Sequence, residues 1–277
     1  MTLLAFTFLL ALTLAGLRVW RLRDRRADRL ARRGLVAAQP ARSPLFDPSM
    51  VDDLPEPARR YFRFTIRAGT PLHTVADISM GGKFGLGSRA APGYMPMTAA
   101  QTLALPHGFI WKMQAAKGLL RMSGSDTESW TRFWLTGLIP VARFGGTPDH
   151  RRSAFGRYAA EAVFWTPAAL LPGPGVRWEA LDEDTARVVI SHDGMVQAVD
   201  VTVAGDGSPS QVSFLRWSNA NPEKVFRLQP FGGYLSEYRD FGGFRLPTHV
   251  EAGNFFGTEE YFPFFIVDVL DIDFPAP

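Results

Sequence analysis

The chain reads as an α+β protein: one transmembrane helix, then a large curved antiparallel sheet or partial β-barrel with helices packed on its concave side. Three observations predict this. The first 17 residues, MTLLAFTFLLALTLAGL, contain no ionisable side chain. About a dozen short β-leaning runs, separated by Gly and Pro, follow Pro71. Helical periodicity returns in two places only, after Asp53 and after Thr147.

The N-terminal run is at the short limit for a bilayer span. Snorkelling of Arg18, with Val19 and Trp20, extends it to residues 1–20 and puts Trp20 where an interfacial aromatic is expected. A cleaved signal peptide is the competing reading. It calls for a basic stretch ahead of the apolar run, and no Lys or Arg precedes it. Thr13-Leu14-Ala15 nevertheless offers a small-x-small cleavage site.

Residues 21–50 form an Arg-rich juxtamembrane segment and linker. Between Arg18 and Arg33 eight Arg face only Asp24 and Asp28, a local charge of +6 in a chain whose net charge is +3. The rest therefore carries −3, and the folded part is not basic. Because the positive block lies C-terminal to the apolar run, it places the N-terminus outside and the domain in the cytoplasm, with an extracytoplasmic domain as the alternative. Such a block is attracted to anionic headgroups by about 1 kcal/mol per charge. Its position beside a span, without interleaved aromatics, argues against nucleic acid. From Gly34 to Pro48 the sequence has no sustained period and reads as a linker.

Residues 51–277 read as a single β-rich domain. Asp52 and Asp53 ahead of Leu54-Pro55-Glu56-Pro57 predict a helix start, with Leu54, Ala58, Tyr61, Phe62 and Thr65 on one face. Strands are predicted over 73–86, 98–105, 108–115, 119–125 and 130–135. Thr147-Pro148-Asp149 then opens a helix whose Ala154, Phe155, Tyr158, Ala159, Ala162 and Val163 share a face, and Thr166-Pro167 starts a second short one. Seven further strands are predicted over 176–181, 186–192, 195–204, 211–217, 234–241, 244–252 and 261–274. Asp193-Gly194, Asp206-Gly207 and Gly242-Gly243 are two-residue hairpin signals.

The chemistry is sparse. Without Cys there is no disulfide framework and no thiolate metal site, and no cofactor is implied. The five His are scattered with no pair at ligand spacing, and no nucleophile elbow, zinc-protease or phosphate-loop motif occurs. Gly81-Gly82-Lys83-Phe84-Gly85-Leu86-Gly87 opens no helix, so it reads as a bent strand rather than a phosphate cradle. Asp271 and Asp273 share a face of the last strand at the chain end, where solvation is the default. The insert helix offers more: Arg157 and Glu161 are an i, i+4 pair, and a helix crossing the open side of a curved sheet presents Arg152 or Glu161 to a ligand's polar end, beside Trp165. The 22 Phe and seven Trp either fill a wide half barrel or line a hollow one.

Four segments carry a family resemblance: LPEPARRYFRFTI, GFIW, RRSAFGRYAAEAVFWTPAALLP followed by VRWEA, and FGGFRLPTHVEAGNFFGTEEYF. They resemble an uncharacterised bacterial domain-of-unknown-function family whose members carry an N-terminal membrane helix. The match runs from Leu54 to Phe274, and the family implies no catalytic residue. At the level of fold alone, many antiparallel strands with a helical plug are similar to the lipoprotein-carrier (LolA/LolB-like) half barrels, which hold acyl chains outside the cytoplasm. The resulting expectation is a membrane-anchored binding module for an apolar or lipid-like ligand, more a binder than an enzyme, with Arg152, Glu161 and Trp165 as ligand-binding residues. The alternatives are an interaction module at the membrane surface with a filled core, or a hydrolytic enzyme.

Overall fold

A computed structural model describes residues 2–277. Its elements are α1 (Thr2–Val36), α2 (Glu56–Thr65), β1 (Val75–Gly85), β2 (Tyr94–Ala104), β3 (Gly108–Lys117), β4 (Leu120–Thr127), β5 (Trp130–Leu135), β6 (Ile139–Gly145) and α3 (Pro148–Trp165). There follow β7 (Val176–Ala180), β8 (Thr185–His192), β9 (Met195–Val203), β10 (Pro209–Ser218), β11 (Arg227–Phe241), β12 (Phe244–Asn254) and β13 (Phe262–Asp273). Short 3-10 turns at Pro48–Val51 and Pro167–Leu170 precede α2 and follow α3.

All 13 strands form one antiparallel sheet in the order β6-β5-β4-β3-β2-β1-β13-β12-β11-β10-β9-β8-β7. Two meanders, β1–β6 and β7–β13, meet where β1 pairs with β13. The chain leaves the first at one edge and enters the second at the other, so α3 must cross the sheet between them. It does so over the concave face, against β9 and β10. Thr147 caps α3 by accepting from the His150 N–H, and Gly156 lets the helix close on the sheet: a Cβ there would stand 2.7 Å from Gln197 Oε1. The apolar face expected of α3 is buried throughout. α2 lies on the same side, joined to α3 by the Tyr61 hydroxyl donating to Val163 O at 2.6 Å.

The strand absent from the sequence reading is β6, whose Pro140 reads as a break. It is an edge strand, where a missing N–H costs the ladder nothing. The interior strands β2 and β11 also begin earlier than expected, before Pro96 and Pro230. The glycine run at 81–85 is strand β1. A Cβ at Gly82 would fall 2.2 Å from Ile266 O, so glycine permits the close approach of β13.

The largest departure concerns the Arg block. No break in secondary structure falls at residue 20, and α1 continues to Val36 with its second half docked on the convex face of the sheet. Asp24, 4% exposed, accepts from Arg143 at 2.6 and 3.0 Å, from Trp134 Nε1 at 2.9 Å and from Arg132 at 3.4 Å. Arg21 donates to Ser123, Asp28 accepts from Ser125, and Arg32 pairs with Asp77. Trp20, expected at a membrane interface, rests edge-on against Trp134 with ring centroids 5.6 Å apart. Leu35 closes a small apolar cluster with Val75, Ala104 and Ile110. The segment after it is not a free linker either. Buried Gln39 accepts from the Thr74 and Val75 N–H groups, and Phe46 and Val51 join the main core. Part of what reads as a membrane-surface feature is therefore a packing surface against the sheet.

Candidate ligand-binding cavity

The concave face is not filled. Between α3 and the sheet lies a cavity of about 890 Å³, at the upper end of the range for small-molecule sites. Its apolar wall includes Phe84, Trp111, Met113, Met122, Phe133, Phe214, Phe231, Phe264 and Phe265 from the strands, with Ala160, Phe164 and Trp165 from α3. Most of these strand residues come from the inward-facing positions of each pleat; Phe264 and Phe265 are consecutive on β13, so only one of the two does. Met122 faces in while Ser123 meets α1, and Phe133 faces in while Trp134 meets Asp24. The exposed rim residues Leu86, Val141 and Phe144 mark the mouth.

One polar cluster breaks the apolar wall. Arg157 is its hub: Nε donates to Glu161 at 2.7 Å, Nη1 to Asp126 at 2.7 Å and Nη2 to Gln101 at 3.3 Å. Its guanidinium lies over the rings of Phe109 and Trp111, 4.5 and 5.3 Å from their centroids. Burial disfavours charge on Arg157, but Glu161 and Asp126 outweigh it and hold the group above its ordinary pKa. Gln101 completes the ring by donating to Glu161 at 2.5 Å.

Arg216 is different. It lies over Phe231 at 5.0 Å, and its buried Nε has no hydrogen-bond partner. Burial, reinforced by the Arg157 charge, pushes it down to about 10, with Asp126 and Glu161 opposing. It therefore stays charged at neutral pH. Trp111 and Trp165, also in the wall, each keep a buried indole N–H without a partner. Buried donors of this kind ordinarily find acceptors; these three nitrogens lie closed off within the wall rather than facing the void.

Of the three residues singled out in the sequence, Glu161 and Trp165 line the cavity. Arg152 does not. It is exposed and lies over Trp217 at 4.1 Å, on the outer side of α3 near Asp149, which accepts from the Trp217 indole at 2.7 Å. Sequence reasoning missed Arg216, Asp126 and Gln101. Each sits alone in a strand, and only the sheet register brings them to α3. Asp271 and Asp273 lie on the convex side beside Arg32 and Asp77. Among the described residues no group of three or more His, Asp or Glu is placed to hold a metal ion.

The fold is of α+β class: a 13-strand sheet with a crossing helix and, between them, a largely apolar cavity that holds one charged cluster. The chain belongs to a family of unknown function, DUF6544, whose model matches residues 44–266. No curated protein matches it. Among solved structures it is similar to a LolA superfamily protein from Nitrosomonas europaea, at 10% identity and a TM-score of 0.39 over 78% of this chain and 91% of that one. It is also similar to a putative outer membrane lipoprotein-sorting protein domain from Vibrio parahaemolyticus, at 12% identity and a TM-score of 0.40 over 72% and 85% of the two chains.

Proposed function

We propose that this protein is a membrane-anchored binding module for a lipid-like ligand held between α3 and the sheet. The observation that carries the reading is the cavity itself: about 890 Å³ of largely apolar space between α3 and the sheet, open at a rim of Leu86, Val141 and Phe144. Protein interiors rarely leave voids above the size of a water molecule, so one this large, walled by Phe, Trp and Met, fits an apolar occupant. The Arg216 guanidinium, in the wall with no carboxylate partner among the described residues, fits a ligand with an acidic end. Glu161 acts indirectly, holding Arg157 in place as part of the wall.

The anchor is the apolar half of α1, a helix long and apolar enough to cross a membrane. The Arg block supports a cytoplasmic domain, since positive flanks resist translocation. Sidedness is read directly by a membrane-impermeant maleimide on Ser129→Cys, because the chain has no other thiol.

The binding claim is tested by titrating a fluorescent long-chain fatty acid into the full chain in micelles. The expected result is one saturable site, weakened about tenfold or more in Ala160→Phe, which places a ring in the void without changing Tm much. Equal binding by the two chains overturns it.

A further inference from the structure

We propose that the hairpin tips β1–β2, β3–β4 and β5–β6 form a second membrane contact, an apolar edge that dips into the same bilayer that α1 enters. This rests on the anchor reading above. Strands β1 to β6 alternate in direction, so the turns at 86–93, 118–119 and 136–138 share one end of the sheet. Those at 105–107 and 128–129 share the other. The first set presents large apolar side chains to solvent: Leu119 is 96% exposed, and Leu86, Leu120 and Ile139 are each more than half exposed. Single exposed leucines are ordinary, but four on three adjacent tips make a patch.

Helix α1 says what covers the patch. Its docked half runs from the tip end, where Arg21 meets Ser123 and Trp20 meets Trp134, toward the base, where Leu35 meets Val75 and Ala104. The apolar half therefore leaves the sheet past the tips. Leu120 precedes Ser123 by three strand residues, so the tip reaches about 10 Å beyond the level of Arg21, the depth of the headgroup and acyl boundary. Charge agrees. From 86 to 93, 117 to 121 and 135 to 141 there is no Asp or Glu, while Arg89, Lys117 and Arg121 flank the leucines. The acids at this end, Glu259 and Glu260, sit on the neighbouring β12–β13 turn, where Arg89 donates to the Glu259 carbonyl. Glu128 stands at the opposite end. Leucine tips with basic flanks match an anionic bilayer surface. The cavity mouth, marked by Leu86, lies beside this edge, so an amphipathic ligand passes between bilayer and cavity without crossing water.

The absence of cysteine makes the test clean. Single variants Leu119→Cys, Ile139→Cys, Ser129→Cys and Leu10→Cys of the full chain carry an environment-sensitive fluorophore. They are reconstituted in vesicles of phosphatidylcholine and phosphatidylglycerol containing doxyl-labelled lipid. Expected are quenching and a blue shift at 119 and 139, stronger quenching at 10, and none at 129 on the opposite end. Probes at 119 and 139 that behave like 129 overturn the inference, whatever position 10 does. Quenching at 119 and 139 but not at 10 leaves the tips as membrane contacts and removes the anchor instead.

Discussion

Asp24 ties the Arg-rich half of α1 to the sheet, and it does so as a buried charge. Two guanidiniums and one indole N–H converge on it. Removing one partner of such a cluster leaves the others buried and uncompensated, which costs about 3–5 kcal/mol. Asp24→Asn is therefore expected to destabilise the chain by about that amount in denaturant titrations, and a loss under about 1 kcal/mol contradicts the docking. His249 makes a different prediction. Its Nδ1 lies 2.7 Å from Asp268 and its Nε2 3.5 Å from Glu251. The Asp268 hydrogen bond, partly opposed by burial, raises its pKa above 6.5. A raised folded-state pKa stabilises fully below the unfolded value and is lost as pH rises through the folded one. The Tm difference between wild type and His249→Gln is accordingly expected to be largest below about pH 6.5 and to shrink above it. A difference that does not vary with pH rules the pairing out.

At the scale of elements, periodicity carried far. The α3 stripe from Ala154 to Val163 is the face that is buried, and the three two-residue hairpin signals join the strands they were expected to join. Strands were read too short where they contain proline: β6 with Pro140 at the sheet edge, and the interior strands β2 and β11, which begin before Pro96 and Pro230. Charge misled for α1. A run of Arg beside an apolar stretch reads as a membrane-surface segment, yet Asp24, Asp28 and Arg32 fall four residues apart and share the helix face that meets the sheet. The seam between the two meanders offers an element-level test. At Gly82 a methyl group would collide with the Ile266 carbonyl, and backbone cannot rotate away as a side chain can. Gly82→Ala is expected to cost about 1–3 kcal/mol by forcing β1 from β13, measured as a lowered midpoint in urea. An unchanged midpoint places the seam elsewhere.

For the whole molecule, the α+β class and the curved sheet were legible, because alternation and turn residues are local signals. Whether its interior is hollow was not. The same Phe and Trp content serves a packed core or a lined cavity, and only the sheet's curvature and the height of α3 above it decide between them. Two members of the polar cluster were visible, since Arg157 and Glu161 are one helical turn apart. The other two, Asp126 and Gln101, and Arg216 beside them come from three strands far apart in sequence. Arg216→Met is expected to weaken an acyl probe with an acidic head about tenfold while leaving a headless hydrocarbon probe unaffected. Equal loss for both would mean that Arg216 shapes the wall rather than binding the head.

The central claim is that the cavity holds a ligand, and the most direct measurement is native mass spectrometry of the full chain as purified, alongside Ala160→Phe. The account predicts one apolar molecule retained per wild-type chain and missing from the filled variant, with lipid around the span common to both. Identical bound mass in the two chains, or none in either, would contradict it.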